Sequence, residues 1–287
     1  MEAEPPLFSL VVASVGRTAP LEPLFESLRA QQGASFEVIL VDQNEDDRLV
    51  PVVAHFAGLM PIRHVLAERI NSSVARNDGL PFCTGRIVGF PDDDCLYPPG
   101  TLARVAAAFA AEPDLGVLTG PAQSPDGGLG SGRWAPAAAV IGRDNAFLTV
   151  ICFNLFLRRD VLERLGGFDP ALGVGAEFGS CEENDLVLRA IESGATARYE
   201  PALRVVHPDK RLSPEARDRA FRYGAGFGYV LRKHHFGIGV IGTFLIRPFG
   251  GVLVSLLRRR WLAAGYYWQT LRGRWYGYRA AARRART

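Results

Sequence analysis

Residues 87–96 read Ile87-Val88-Gly89-Phe90-Pro91-Asp92-Asp93-Asp94-Cys95-Leu96. The apolar run suits a short strand covered on both faces, and it delivers three consecutive carboxylates to its carboxyl edge. Three like charges a few ångströms apart repel one another, so the cluster calls for a cation. Carboxylate oxygens suit Mg²⁺ or Mn²⁺, which bind through one or two carboxylates plus a substrate's phosphates. The plainer reading of the triplet is an acidic, solvated turn before Pro98-Pro99-Gly100. Its position favours the first reading. In open α/β sheets ligands gather outside the carboxyl ends of the strands, and Asp42 ends an earlier apolar strand, Phe36 to Val41, in the same manner.

Working outward, Leu7 to Ser14 is nearly all apolar, as a strand buried on both faces should be. Leu21, Leu24, Phe25 and Leu28 repeat at helical spacing. The pattern then predicts a helix near Leu49 to Phe56, a short strand around Ile62 to Val65, and a helix capped by Asn71-Ser72 and running through Asp78. This β-α-β-α-β order implies an α/β fold with a mostly parallel central sheet and helices on both faces. Downstream, Thr101 is placed to cap a helix bearing Leu102, Val105, Ala106 and Phe109, and Leu115 to Thr119 reads as a strand. Residues 121–145 read as an irregular Gly-, Pro- and Ala-rich excursion around Trp134, a mobile lid, a substrate wall or a plain surface loop. Phe147 to Leu157 reads as a strand, and Asp160 to Leu165 as a short helix stopped by Gly166-Gly167. Ser180-Cys181-Glu182-Glu183-Asn184-Asp185 opens another helix, where acids in the first turn also suit the helix dipole.

The chain has 287 residues, 48% of them apolar, enough for a substantial core. Cys83, Cys95, Cys152 and Cys181 form no CxxC pair, which argues against a zinc site and a disulfide framework and fits a reducing compartment. Met1 to Pro6 carries no apolar export signal. The net charge of +3 conceals a division: residues 219–287 contain fourteen Arg and Lys and no Asp or Glu, which leaves −11 on residues 1–218. The sequence therefore divides into an acidic body, residues 1–212, and a basic amphipathic helical tail, residues 213–287. In the tail, Phe236 to Ile246 and Pro248 to Leu257 are apolar stretches split by Arg247 and closed by Arg258-Arg259-Arg260. Each falls short of the roughly 18 apolar residues that span a bilayer, so they read as a pair of interfacial or re-entrant segments. Trp261, Tyr266, Tyr267, Trp268, Trp275, Tyr276 and Tyr278 among arginines suit an anionic headgroup layer. The rival readings are RNA binding and a helical layer packed on the domain. The headgroup reading makes an anionic membrane surface the expected partner and excludes nucleic acid.

Val11-Val12-Ala13-Ser14-Val15-Gly16-Arg17, Val41-Asp42-Gln43-Asn44, Ser73-Val74-Ala75-Arg76-Asn77-Asp78-Gly79, the aspartate segment, Gly166-Gly167-Phe168-Asp169 and Glu182-Glu183-Asn184-Asp185-Leu186 stand in one order. In that order they resemble a non-processive family 2 glycosyltransferase of the GT-A fold, over about Phe8 to Lys210. The resemblance implies a nucleotide-sugar donor and a lipid-linked or glycan acceptor. It assigns Asp42, Arg17, Arg76 and Asp93 to the nucleotide sugar, and Asp94, Asp92 and His207 to a Mg²⁺ or Mn²⁺ ion. Where the family's base is usually an aspartate this chain has Glu183 beside Glu182, so the base is one of the two. The processive family's QxxRW motif is absent, which favours transfer of a single sugar. The expected activity is thus an inverting, metal-dependent transfer by an enzyme that is cytoplasmic and peripheral on the inner face of the plasma membrane. Competing expectations are a sugar-nucleotidyltransferase, whose glycine-rich phosphate loop is missing here, and a non-catalytic membrane scaffold of a glycan-assembly complex.

Overall fold

The computed structural model describes residues 4–130 and 132–284. They form two compact units. The first gathers residues up to Ile70, Val74–Phe168 and Leu186–Asp209. Its strands are β1 (Phe8–Ser14), β2 (Phe36–Asp42), β3 (Ile62–Leu66), β4 (Ile87–Gly89), β5 (Leu115–Thr119), β6 (Ala122–Gln123), β7 (Ala139–Val140), β8 (Leu155–Arg158), β9 (Thr196–Tyr199) and β10 (Val205–Val206). Eight of them make one sheet in the order β3-β2-β1-β4-β8-β5-β9-β7, and β10 pairs with β6. β1 to β4 run parallel, so β1, β2 and β4 present their carboxyl ends at one edge; β8 is antiparallel to both neighbours.

The helices of this unit follow from their apolar stripes. α1 (Leu21–Arg29) buries Leu21, Leu24, Phe25 and Leu28, each contributing about 1.5–3 kcal/mol by burial. With α2 (Val50–Ala57) and α4 (Thr101–Ala111) it packs on Phe8, Leu10, Val12, Val38 and Leu40. The opposite face receives α3 (Ser72–Gly79) so closely that a Cβ on Gly79 would lie 2.7 Å from Val11 and 3.0 Å from Val41. α5 (Arg159–Leu165) ends at Gly166 and Gly167, with φ of 70° and 82°, which glycine adopts without steric cost.

The structure corrects the expectation in three places of this unit. Residues 121–145 contain β6 and β7, and Ala139 and Val140 extend the sheet edge by pairing with Tyr199 and Arg198. Of the expected strand at 147–157, the structure makes only Leu155–Leu157 a strand, in β8 (Leu155–Arg158). Ahead of it, Thr149 Oγ1 bonds to the Asn145 carbonyl, and Asn154 Nδ2 donates to the carbonyls of Pro121 and Leu203 at 3.1 and 2.7 Å. These side-chain bonds compete with a ladder. Thr101 is not a cap: Gly100, at φ 78°, precedes the helix, and the Thr101 hydroxyl donates to the Pro98 carbonyl.

The second unit gathers Asn71–Ser73, Asp169–Asp185 and the chain from Lys210 on. α6 (Glu182–Glu192) begins in it, and α7 (Pro214–Lys233), α8 (Ile238–Leu257) and α9 (Trp261–Arg284) make up its bulk. α7 and α9 meet backbone to backbone. A Cβ on Gly224 or Gly228 of α7 would lie 2.5 Å from the Thr270 carbonyl or 1.9 Å from the Arg274 carbonyl, and one on Gly273 or Gly277 of α9 would lie 2.0 or 1.9 Å from carbonyls of α7. Small residues spaced by four let helices approach this closely. The two apolar stretches of the tail are one helix, α8, about 30 Å long at 1.5 Å per residue. By length and composition it is able to cross a membrane. Pro248 lies inside it, and because proline has no N–H, the Phe244 carbonyl four residues earlier loses its helical donor. Arg274 of α9 donates to that carbonyl instead.

Candidate active site

At the carboxyl edge of the first unit, β1 ends in Ser14 and continues through Gly16, whose φ of 71° turns the chain so that Arg17 faces the aspartates. Arg17 bonds to Asp93 and, at 2.7 Å, to Asp94. Ser14 Oγ donates to the other oxygen of Asp93 at 2.7 Å. Burial pushes the Asp93 carboxyl up to about 6, only partly countered by Ser14 and Arg17. Asp94 behaves in the opposite way. Burial would raise it, but His207 and Arg17 override that and hold it at about 2.

His207 reaches Asp94 because two backbone bonds, Leu96 N–H to the Val206 carbonyl and its reciprocal at 2.8 and 2.9 Å, stitch the aspartate loop to β10. Its Nε2 lies 3.2 Å from Asp94, and its ring stacks on Phe153 with centroids 4.5 Å apart. Burial opposes protonation, yet Asp94 holds the imidazole above its ordinary value. Asp92 takes a different partner: Arg76 of α3 pairs with it at 3.0 Å and lies over the Phe168 ring at 5.5 Å.

Asp42 ends β2 and is 1% exposed. It accepts from the backbone and side chain of Asn44 at 2.9 and 2.7 Å, and its second oxygen meets His64 Nε2 at 2.9 Å. Asn44 in turn accepts from the Gly16 N–H at 2.6 Å, so Asp42 braces the loop that carries Arg17. His64 escaped the sequence reading; its signal was a strand position beside Leu40 in the next ladder.

The structure thus brings Arg17, Asp93, Asp94 and His207 together and sets Asp92 with Arg76 beside them. Among the described residues no cluster of three His, Cys, Asp or Glu converges as a ready metal cage. Asp94 and His207 nevertheless offer a carboxylate and an imidazole within 3.2 Å. That donor set fits a cation that keeps few protein ligands and completes its shell from phosphate and water.

The two glutamates belong to the second unit, in the first turn of α6. Glu182 is 7% exposed and lies against Gly173, whereas Glu183 is more open. Cys181, just before them, has φ 67°, a left-handed conformation uncommon for a residue with a Cβ and a form of strain that collects at functional sites. A charged network that the sequence did not reveal follows. Asp185, fully buried, pairs with Lys233 at 2.8 Å and His234 at 2.9 Å, and Lys233 also pairs with Asp169 at 2.7 Å. Lys233 and His234 come from the end of α7, so the tail supplies the counter-charges for Asp169 and Asp185.

Residues 9–166, more than half of the chain, match the model of glycosyl transferase family 2. The chain belongs to this family. A PGL/p-HBAD biosynthesis glycosyltransferase of Mycobacterium tuberculosis is 32% identical over 105 residues, 36% of this chain and 41% of that protein. The Escherichia coli glycosyltransferase YibD is 34% identical over 94 residues, 32% of this chain and 27% of that protein. The alignments therefore span well under half the length of these relatives. Among solved structures, a mannosyltransferase from Pyrobaculum calidifontis, in complex with GDP-Man and Mn²⁺, superposes with a TM-score of 0.65 over 95% of this chain and 88% of its own, at 17% identity. Residues 1–349 of TarS from S. aureus superpose with a TM-score of 0.55 over 97% of this chain and 91% of that one, at 19% identity. These likenesses establish the GT-A fold.

Proposed function

We propose that the protein transfers a single sugar, with inversion, from a nucleotide-diphosphate sugar to a hydroxyl of a lipid-linked or glycan acceptor at the cytoplasmic face of the membrane. The observation that carries this reading is the convergence of Arg17, Asp93, Asp94 and His207 at the carboxyl edge of the sheet. Asp42 and Asp93 are assigned to the ribose and base, and Arg17 and Arg76 to the nucleotide's flank. Asp94 and His207 would hold Mn²⁺ or Mg²⁺, with Asp92 behind them. When bound, the cation supplies positive charge to the leaving diphosphate. The Mn²⁺ in the mannosyltransferase complex agrees with that choice. Glu183, more open than Glu182, suits the task of taking the proton from the acceptor hydroxyl. The mostly apolar surface of α8, with Ile246 and Leu257 69% and 85% exposed, supports residence on a lipid surface.

A thermal-shift screen of UDP, dTDP, GDP and CDP sugars, with and without Mn²⁺, tests the reading. One donor should raise the midpoint in a Mn²⁺-dependent way, by about 2.7 kcal/mol of stability at 100 times its dissociation constant. Asp94→Asn should remove the metal-dependent part and the turnover together. Full activity of that variant, or of the wild type in excess chelator, would sink the metal-assisted reading. Donor binding with neither transfer nor hydrolysis of the sugar would support the scaffold instead.

A further inference from the structure

The carbonyl freed by Pro248 accounts for one of the five N–H donors of Arg274 and leaves its charge unexplained. The guanidinium lies over the neighbouring rings of Phe227 and Phe244, with centroids 4.6 and 5.7 Å away. Its Nε is buried without an acceptor. Its electrostatic neighbours are Cys181, Tyr266 and Arg247, none of them a carboxylate, and burial pushes it down to about 10. Arg247, a second cation, stands over the same Phe244 ring at 5.9 Å. A desolvated cation is costly unless it is paired. Residues 219–287 hold no Asp or Glu, so α8, α9 and the part of α7 beyond Asp218 have no carboxylate to offer.

We infer that Arg274, backed by Arg247, holds a phosphate or diphosphate group of the lipid-linked acceptor. Two guanidinium groups at the same aromatic ring suit a dianion, which accepts several charge-assisted bonds at once. The apolar surface of α8 offers the lipid chain a path, and Cys181 leads directly into Glu182 and Glu183, so an anion at Arg274 would sit beside the turn that carries the candidate base. The inference rests on the proposed lipid-linked acceptor, but its test needs no turnover and therefore stands or falls separately from the transferase assay.

The full chain in detergent micelles is titrated with farnesyl phosphate and with farnesol, read by tryptophan fluorescence. The phosphate should bind at least about tenfold more tightly, as a charge-assisted contact predicts. Arg274→Gln should reduce that preference to about twofold or less, with farnesol affinity and the donor-induced thermal shift unchanged. Arg247 is exposed, so Arg247→Glu tests the idea without risk to folding: the new carboxylate should pair with Arg274, abolish the preference for phosphate and raise the thermal midpoint. The inference is overturned if both variants keep the preference. It is equally overturned if dioctanoyl phosphatidylglycerol or inorganic phosphate binds as tightly, and with the same dependence on Arg274, because the position would then take any phosphate rather than the acceptor's.

Discussion

Glu182 and Glu183 are neighbours in sequence, but the first helical turn gives them different surroundings. Glu182 is buried against Gly173, and Glu183 is more open. Glu183→Gln keeps the size and hydrogen bonding yet accepts no proton, so turnover should fall by about 10² to 10⁴ with donor affinity kept. Glu182→Gln should lower it less; steady-state rates with a fixed donor decide, and the reverse order would make Glu182 the base. Glu37 offers a pH test away from the chemistry. Burial alone would raise its carboxyl, but hydrogen bonds from Ser9 and Thr84 override that and hold it below the ordinary 4.5. A lowered acid contributes stability that is present above about pH 4.5 and fades as pH falls through the lowered value. The gap in thermal midpoint between wild type and Glu37→Gln should therefore be full at pH 7 and shrink on acidification. Legibility at this scale followed local pattern. Asp42 and the Asp92–Asp94 triplet were visible because each closes an apolar run. His207 was visible through the family resemblance. Pairings such as Asp42 with His64 or Asp185 with Lys233 span 22 and 48 positions, and nothing in either local segment announces them.

Among the elements, the crossing of α7 and α9 is the most demanding. Gly→Ala in a helix interior normally stabilises by up to about 1 kcal/mol. At Gly228 the added Cβ would lie 1.9 Å from the Arg274 carbonyl, so the backbones must separate. Gly228→Ala should accordingly lower the midpoint by several degrees in differential scanning calorimetry; an unchanged or higher midpoint would show that the seam is soft. The sequence displayed these glycines without their meaning, since spacing by four says nothing of a partner until the second helix is in place. It likewise split α8 in two at Arg247 and Pro248. The helix continues through both because Arg274 satisfies the carbonyl that proline leaves open, a contact 30 residues away. The strands of the central sheet were more legible, because burial on both faces writes itself as continuous apolar runs.

For the whole molecule, the division of charge sets how it should meet a surface. With −11 on residues 1–218 and fourteen basic groups beyond, attraction to anionic lipid should come from the tail and be screened by salt. Co-sedimentation with phosphatidylglycerol vesicles should be strong at low salt and fall as salt rises, to a residual fraction held by apolar contact of α8. Absence of binding at low salt would leave the tail as a packed layer only. The order of the sheet has a different consequence, for synthesis on the ribosome. β5 touches only β8 and β9 in the sheet, and β8 emerges about 35 residues later, roughly 2–7 s at 5–20 residues per second. During that interval β1 to β4 can assemble while Leu115–Thr119 waits as an apolar strand with both edges open. Codon choice and chaperone occupancy over residues 120–155 should therefore govern how much of the nascent chain escapes aggregation.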